Sequence, residues 1–239
     1  MGRKQSCEWY EISDIRVYER GDYFRRNVML MNLIKQKCRP KRIFEFAGSG
    51  GFLANLILEN IEGIEFYHHT DFTNIAVGCA KSLLDKYENC VVEKVDIDKE
   101  YNEINFSVYD TFICISFEHL EHDLEIISRI PKNSLFIFCV PNFNAYTHVR
   151  YFNSEEKIFE RYTSLLEMDI YSYHCQSMNV KMKNILQNVN VKNNIKNINL
   201  KKILQNARLL CVDIPYHIFQ NPVRRVKFIA FATRTSDSA

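Results

Sequence analysis

The sequence contains no apolar stretch close to the roughly 20 residues that cross a bilayer. Its opening residues, "MGRKQSCEWYE", lack the apolar centre of a signal peptide. Both absences argue for a protein of the cytoplasm. Gly2 followed by Ser6 fits a myristoylation pattern, which alone is a weak anchor, so no membrane partner is expected. The net charge is only +2, too small to suggest nucleic acid or an anionic membrane as partner. Eight cysteines are scattered without a Cys-x-x-Cys pair, so reduced thiols are expected and a zinc knuckle is not. Cys114 and Cys139 sit inside apolar runs, where a thiol behaves as a small hydrophobe. Glycine is scarce too: there are seven, yet Gly48, Gly50 and Gly51 crowd into four positions.

What is present suits one α/β domain, or a domain with an appendage: 239 residues, 46% apolar and 25% charged. Phe24, Val28, Met31, Leu33 and Ile34 are spaced for an amphipathic helix over 22–37, broken before Pro40. Short apolar strands are predicted at 42–46, 64–69, 90–95, 110–117 and 134–140. Helices are predicted between them at 52–60, 73–87 and 120–130, and Pro131 and Pro141 act as stops. A helix over 154–167 and strands at 168–175 and 226–233 complete the pattern. Buried strands alternating with helices predict a Rossmann-like, doubly wound fold, with a mostly parallel seven-stranded sheet and helices on both faces. The domain reading is an N-terminal helical and aromatic cover (1–40), a core (41–175), an Asn/Lys-rich insertion (176–222) and the last strand with its tail (223–239). Between Ile170 and Val212 there are seven Lys or Arg and no acid, and "KNILQN" at 183 returns as "KKILQN" at 201.

A strand, a glycine cluster and a helix let a ligand approach backbone amides at the carboxyl end of the first strand. A nicotinamide fingerprint starting at Gly48 and Gly50 would end on Leu53, too bulky for close helix–strand packing. Glu45, before the turn, would repel a pyrophosphate but suits the ammonium of an amino-acid ligand.

Here "EFAGSGG" resembles the first motif, acid-x-Gly-x-Gly-x-Gly, of the class I S-adenosylmethionine-dependent methyltransferases. Glu45, Ala47, Ser49 and Gly51 fill the motif positions, and Gly48 and Gly50 are expected to take over the turn's unusual dihedrals. "HTDFTNIAVGCAKSLL" resembles the second motif, which implies that Asp71, followed by Phe72, binds the ribose. "EKVDID" matches Asp96, next to Ile97, to the acceptor of the adenine amino group, with Asp98 competing. "YDTFICISFEHLEHDLEII", with Ser116 before the Glu118-His119 pair, is similar to the fourth-strand motif. "LFIFCVPNFNAYTHVRYFNSEE" is similar to a bacterial, small-molecule branch with Val-Pro-Asn-Phe after strand five. The likeness covers roughly residues 8 to 170 and the last strand.

The resemblance implies S-adenosyl-L-methionine as cofactor and transfer of its methyl group to oxygen, less readily nitrogen, of a small polar acceptor such as a sugar or secondary metabolite. Methyl transfer is an in-line displacement that needs alignment more than electrophilic help. A hydroxyl acceptor gains from a base, and histidine is the natural choice. Glu118, His119 and His148 are the catalytic candidates, with His122 one turn on. Tyr18, Tyr23, Asn142, Phe143, Tyr146 and Tyr151 would form the acceptor's walls, with Trp9, Tyr10 and Phe24 in a possible lid. Arg150 would hold an acidic substrate group or pair with Glu155 or Glu156. No metal is assigned, although Glu118, Glu121, His122 and His148 together resemble the site of metal-assisted RNA 2′-O-methyltransferases. That alternative, and a non-catalytic cofactor-binding module docking through the basic insertion, are the rival expectations.

Overall fold

The computed structural model describes residues 21–145, 147–174 and 226–235. The chain divides into a unit of 1–173 with 226–239 and a second of 174–225. The second unit, the N-terminal aromatics Trp9, Tyr10 and Tyr18, and Tyr146 lie outside the described residues, apart from the strand end at His174.

The elements run α1 (Gly21–Lys37), β1 (Arg42–Glu45), α2 (Phe52–Asn60), β2 (Phe66–Asp71), α3 (Asn74–Leu84), β3 (Cys90–Lys94) and α4 (Ile97–Glu100). They continue with β4 (Thr111–Cys114), α5 (Asp123–Arg129), β5 (Leu135–Pro141), α6 (Glu155–Tyr162), β6 (Leu166–His174) and β7 (Val226–Arg234). Seven strands form one sheet in the order β3-β2-β1-β4-β5-β7-β6. β3, β2, β1, β4 and β5 are parallel to their neighbours, whereas β7 runs antiparallel to β5. This is the doubly wound, mostly parallel fold expected from the alternation of apolar runs.

Side-chain parity sorts the core by residue type, because successive strand residues point to opposite faces. Phe44, Phe112, Phe136 and Phe138 pack on one face with Ile126 and Ile127 of α5 and Ile158 and Tyr162 of α6. Ile43, Ile113, Ile137 and Ile229 pack on the other with Leu30 and Ile34 of α1, Leu53 and Ile57 of α2, and Leu84 of α3. Each of these side chains is essentially buried and contributes about 1.5–3 kcal/mol on leaving water.

Three boundaries in particular differ from the sequence reading. β2 lies two residues later than 64–69, because Gly63 at φ 83 makes a turn first. Asp71 therefore closes the strand instead of following it. β4 ends at Cys114, short of 117, and Phe117–His119 form a 3₁₀ turn, although Ile115 and Phe117 stay buried. The helix expected over 154–167 stops at Tyr162, and its last residues join β6.

Candidate active site

Four positions from the end of β1 onwards define the loop that the glycines mark. Positive φ falls at Ala47 (54°), Ser49 (57°) and Gly51 (81°). These are the three positions that the resemblance aligned with the motif's glycines. The expectation that Gly48 and Gly50 carry the unusual dihedrals is corrected. They are needed for space: a Cβ on Gly48 would lie 2.4 Å from His69 Cε1, and one on Gly50 2.8 Å from Phe52 Cε2. Gly51, as the left-handed residue before α2, lets the chain enter the helix without a side-chain cap.

Glu45 and His69 are direct partners in the β1–β2 register and point to the same face. Both side chains are fully buried, and His69 Nδ1 lies 2.7 Å from Glu45 Oε2. Tyr67, two residues back on β2, donates its hydroxyl to the same oxygen at 3.0 Å. His69 Nε2 reaches up to the carbonyl of Ser49 at 3.0 Å. Burial alone would lower the pKa of His69, but the charge and hydrogen bond of Glu45, the Ser49 carbonyl and Asp71 outweigh it and raise it. The sequence reading did not single out Tyr67 or His69. The signal was available in their parity, since Tyr67, His69 and Asp71 alternate on one strand face toward Glu45.

Asp71 closes β2 with its carboxylate turned onto the loop. Ser49 N–H donates to Oδ2 at 3.0 Å, and Thr73 donates to Oδ1 from its N–H at 2.9 Å and its hydroxyl at 3.0 Å. Burial raises its pKa against the pull of those donors. Thr73, not Asp71, caps α3, accepting from Ala76 N–H. Phe72 is half-buried, and Ile97 is buried below Asp96. Asp96 and Asp98, the two acids weighed for the adenine amino group, sit in different settings. Asp98 is 3% exposed and accepts the N–H groups of Glu121 and His122, which ties it to the start of α5. The Asp96 side chain keeps 18% exposure, with Lys99 at 3.2 Å.

The second group of candidates gathers at the ends of β4 and β5. Glu118 is 2% exposed; His119 Nε2 and His148 Nε2 lie 3.9 and 3.8 Å from its Oε1. His119 Nδ1–H donates to the Thr147 carbonyl at 2.8 Å, and His148 Nδ1–H to the Phe143 carbonyl at 3.1 Å. With Nδ1 of each ring committed to a carbonyl, both Nε2 atoms turn toward one carboxylate. Lys227, at the start of β7 and opposite Pro141 in register, brings its ammonium 3.5 Å from the same oxygen. Burial, with His119 and Lys227 beside it, pulls His148 down to about 4, despite Glu118. For Glu118, burial pushes the pKa up, but Lys227, His119 and His148 around it outweigh that and hold it low.

Ser116 is half-buried and opens the 3₁₀ turn. Asn142 and Phe143 are half-buried beyond β5, with the Phe143 ring 5.6 Å from His148. Tyr23 lies on α1 beside the Arg26 guanidinium. Tyr151, expected on the acceptor wall, is 48% exposed and lines an open groove of about 680 Å³ with Phe152, Lys157 and Arg161. Glu121 and His122 are exposed and stand by Asp98, so the four-residue metal set does not assemble; Glu118, His119 and His148 form the cluster instead. Arg150 pairs with neither Glu155 nor Glu156. It meets Asp123 Oδ1 at 3.1 Å and the carbonyls of Leu120 and Glu121.

No family model and no curated protein matches this chain. Solved structures do. The N-methyltransferase NodS from Bradyrhizobium japonicum, in complex with S-adenosyl-L-homocysteine, superposes with a TM-score of 0.60 at 12% identity, covering 98% of this chain and 99% of that one. Phosphoethanolamine N-methyltransferase 2 of Haemonchus contortus, in complex with S-adenosyl-L-methionine, gives 0.60 at 11% identity over 96% of this chain and 59% of that one. The CurJ carbon methyltransferase gives 0.57 at 12% identity over 92% and 57%. The chain thus spans nearly all of the first and less than two thirds of the other two. Its fold is that of the class I S-adenosylmethionine-dependent methyltransferases. Among the described residues no helix is long and apolar enough to cross a membrane.

Proposed function

We infer that the protein is an S-adenosylmethionine-dependent methyltransferase of a small polar acceptor. The observation that carries this reading is the loop backbone: left-handed residues at 47, 49 and 51 follow a buried carboxylate at 45, beside a strand that ends in Asp71. Polar atoms left without a partner support it. Glu45 Oε1 and Ser49 Oγ are buried and unbonded, and each such atom costs about 1–3 kcal/mol until something meets it. A ligand with an ammonium group would satisfy Glu45 Oε1. Asp71 accepts three hydrogen bonds, and a carboxylate can accept about four, which leaves capacity for a ribose hydroxyl. Asp96 would accept from the adenine amino group.

When bound, S-adenosylmethionine supplies an electrophilic methyl group on a sulfonium that leaves as a neutral sulfide. The chain's own task is to align the acceptor. His148, neutral above about pH 4, offers Nε2 to an acceptor hydroxyl and takes its hydrogen bond. So low a pKa makes it a weak base near neutrality and favours orientation over full deprotonation. Glu118 Oε2, buried and unpartnered, provides a second acceptor beside it. Oxygen is preferred to nitrogen as the methylated atom because this pair is suited to a hydroxyl proton. The small net charge favours a small acceptor over nucleic acid. The Val-Pro-Asn-Phe stretch and a cytoplasmic location complete the reading.

Isothermal titration with S-adenosylhomocysteine tests the first half: binding is expected, and no heat at millimolar concentration would overturn it. An acceptor screen with methyl-labelled cofactor tests the second. His148→Gln should lower turnover about 10²-fold while leaving homocysteine-nucleoside affinity unchanged; unaltered turnover would remove His148 from its role.

A further inference from the structure

The space under the glycine loop is filled by an imidazole, and its surroundings specify its protonation. Ser49 O is a carbonyl and can only accept, so His69 Nε2 must carry a proton. Glu45 Oε2 already accepts from the Tyr67 hydroxyl, and as a carboxylate oxygen it accepts from His69 Nδ1 as well. Both ring nitrogens therefore face acceptors.

We propose that His69 is a positioning residue: a buried imidazolium cross-brace that ties Glu45 to the Ser49 carbonyl, holds the glycine loop in its left-handed conformation, and thereby sets cofactor affinity. The last part depends on the loop being the cofactor site; the brace itself does not. The ring sits where a side chain on residue 48 would be, 2.4 Å from a Cβ built there, so the loop lies directly on it. Ser49, whose φ of 57° is unfavourable for a residue with a side chain, is held by both of its backbone groups: its N–H by Asp71 and its carbonyl by His69.

The charges around the ring come from three strands. Glu45 faces it from β1. Asp71, Tyr67 and the neighbouring His68 lie on β2. Cys90 of β3 is a thiol that burial and Glu45 push up to about 12, so it stays neutral. From α3, Cys79 Sγ approaches Gly50, 3.1 Å from a Cβ built there, and Thr73 holds Asp71. Glu45 and Asp71 are the carboxylates that act most on His69. An imidazolium between two carboxylates leaves one net negative charge below the loop, a favourable setting for a cationic ligand.

The test is nitrogen-15 NMR of the protein with labelled histidine, together with titration of S-adenosylhomocysteine from pH 6.5 to 9.5. His69 should show both ring nitrogens protonated at pH 7.5 without any ligand. A bare ring nitrogen at that pH would overturn the brace, even if the cofactor binds. With the brace intact, affinity should fall about tenfold or more as pH rises through the His69 transition, and His69→Gln should abolish that pH dependence. Tight binding that ignores His69 ionisation would overturn its link to affinity. A protonated His69 with no binding at any pH would leave the brace standing and instead overturn the cofactor reading. The spectrum needs only the wild-type protein, so a poorly folding variant does not remove the test.

Discussion

At position 48 even one added methyl group meets the His69 ring at 2.4 Å and Glu45 Cδ at 2.8 Å. Gly48→Ala should therefore destabilise the protein by about 1–3 kcal/mol, as overpacking of a rigid site does. His69→Ala should recover part of that loss, because it removes the ring the methyl strikes. Chemical denaturation of the two single variants and the double variant checks this, and additive losses would show that the two positions are not coupled. Ala47→Gly should act in the opposite sense. Left-handed backbone costs a non-glycine residue about 1–2 kcal/mol, and the added freedom of an unfolded glycine returns about 0.4–1, so a gain near 0.5 kcal/mol is expected. That a tight turn follows β1 was legible in the sequence, because an acid precedes a regular spacing of small residues. The division of labour within it was not. Whether a glycine supplies a dihedral or a gap depends on what lies beneath it, and here that is a side chain from a neighbouring strand, more than twenty residues away.

At the scale of elements, the loops after β4 and β5 are stitched into one wall. Val149 and Arg150 N–H donate to the Glu118 carbonyl, and Asp123 at the start of α5 binds the far side. Its carboxylate is 1% exposed and takes Arg161 in a two-point bond at 2.7 and 2.8 Å, the Tyr162 hydroxyl at 2.7 Å, and Arg150. Asp123→Ala would leave two guanidinium groups without their counter-charge and should cost about 3–5 kcal/mol. Asp123→Asn keeps the shape, so it should cost less in unfolding experiments while still loosening Arg150 and the loop that carries His148. The expected signature is a larger drop in turnover than in cofactor affinity; equal drops would deny that Asp123 holds the acceptor wall. The strands were legible because apolar runs of four to seven residues between turn signals admit few other readings. The sequence puts His119 and His148 on opposite walls of one cleft, so their contact over a shared carboxylate was not legible. Nor was that of Lys227, since only the antiparallel pairing of β7 with β5 brings it opposite Pro141 and within reach of Glu118.

For the whole molecule, the two buried histidine sites lean in opposite directions with pH. His148 is held at about 4 against an ordinary 6.5. A group depressed in the folded state contributes stability above its unfolded value and loses it as pH falls toward the folded one. The displacement corresponds to about 3 kcal/mol, lost between pH 6.5 and 4. Glu118, also held low, adds to the same loss below its ordinary 4.5. His69 is raised above 6.5, so its contribution is complete below that pH and disappears as pH rises through its folded value. Stability should thus peak near pH 6.5 and decline on both sides. Urea unfolding at pH 5, 6.5 and 8.5 checks this: His148→Gln should flatten the acid side, and His69→Gln the alkaline side. Wild-type stability that stays constant over this range would contradict both assignments.

The fit between positions 48 and 69 also constrains history and engineering. A ring at 69 finds room only after residue 48 has given up its side chain, so stepwise descent to this pair runs through glycine first and a small void second. Travelling back, the imidazole must leave before anything larger returns opposite it. A loop grafted onto this sheet from another protein of this fold must bring glycine at position 48 for as long as His69 stays beneath it.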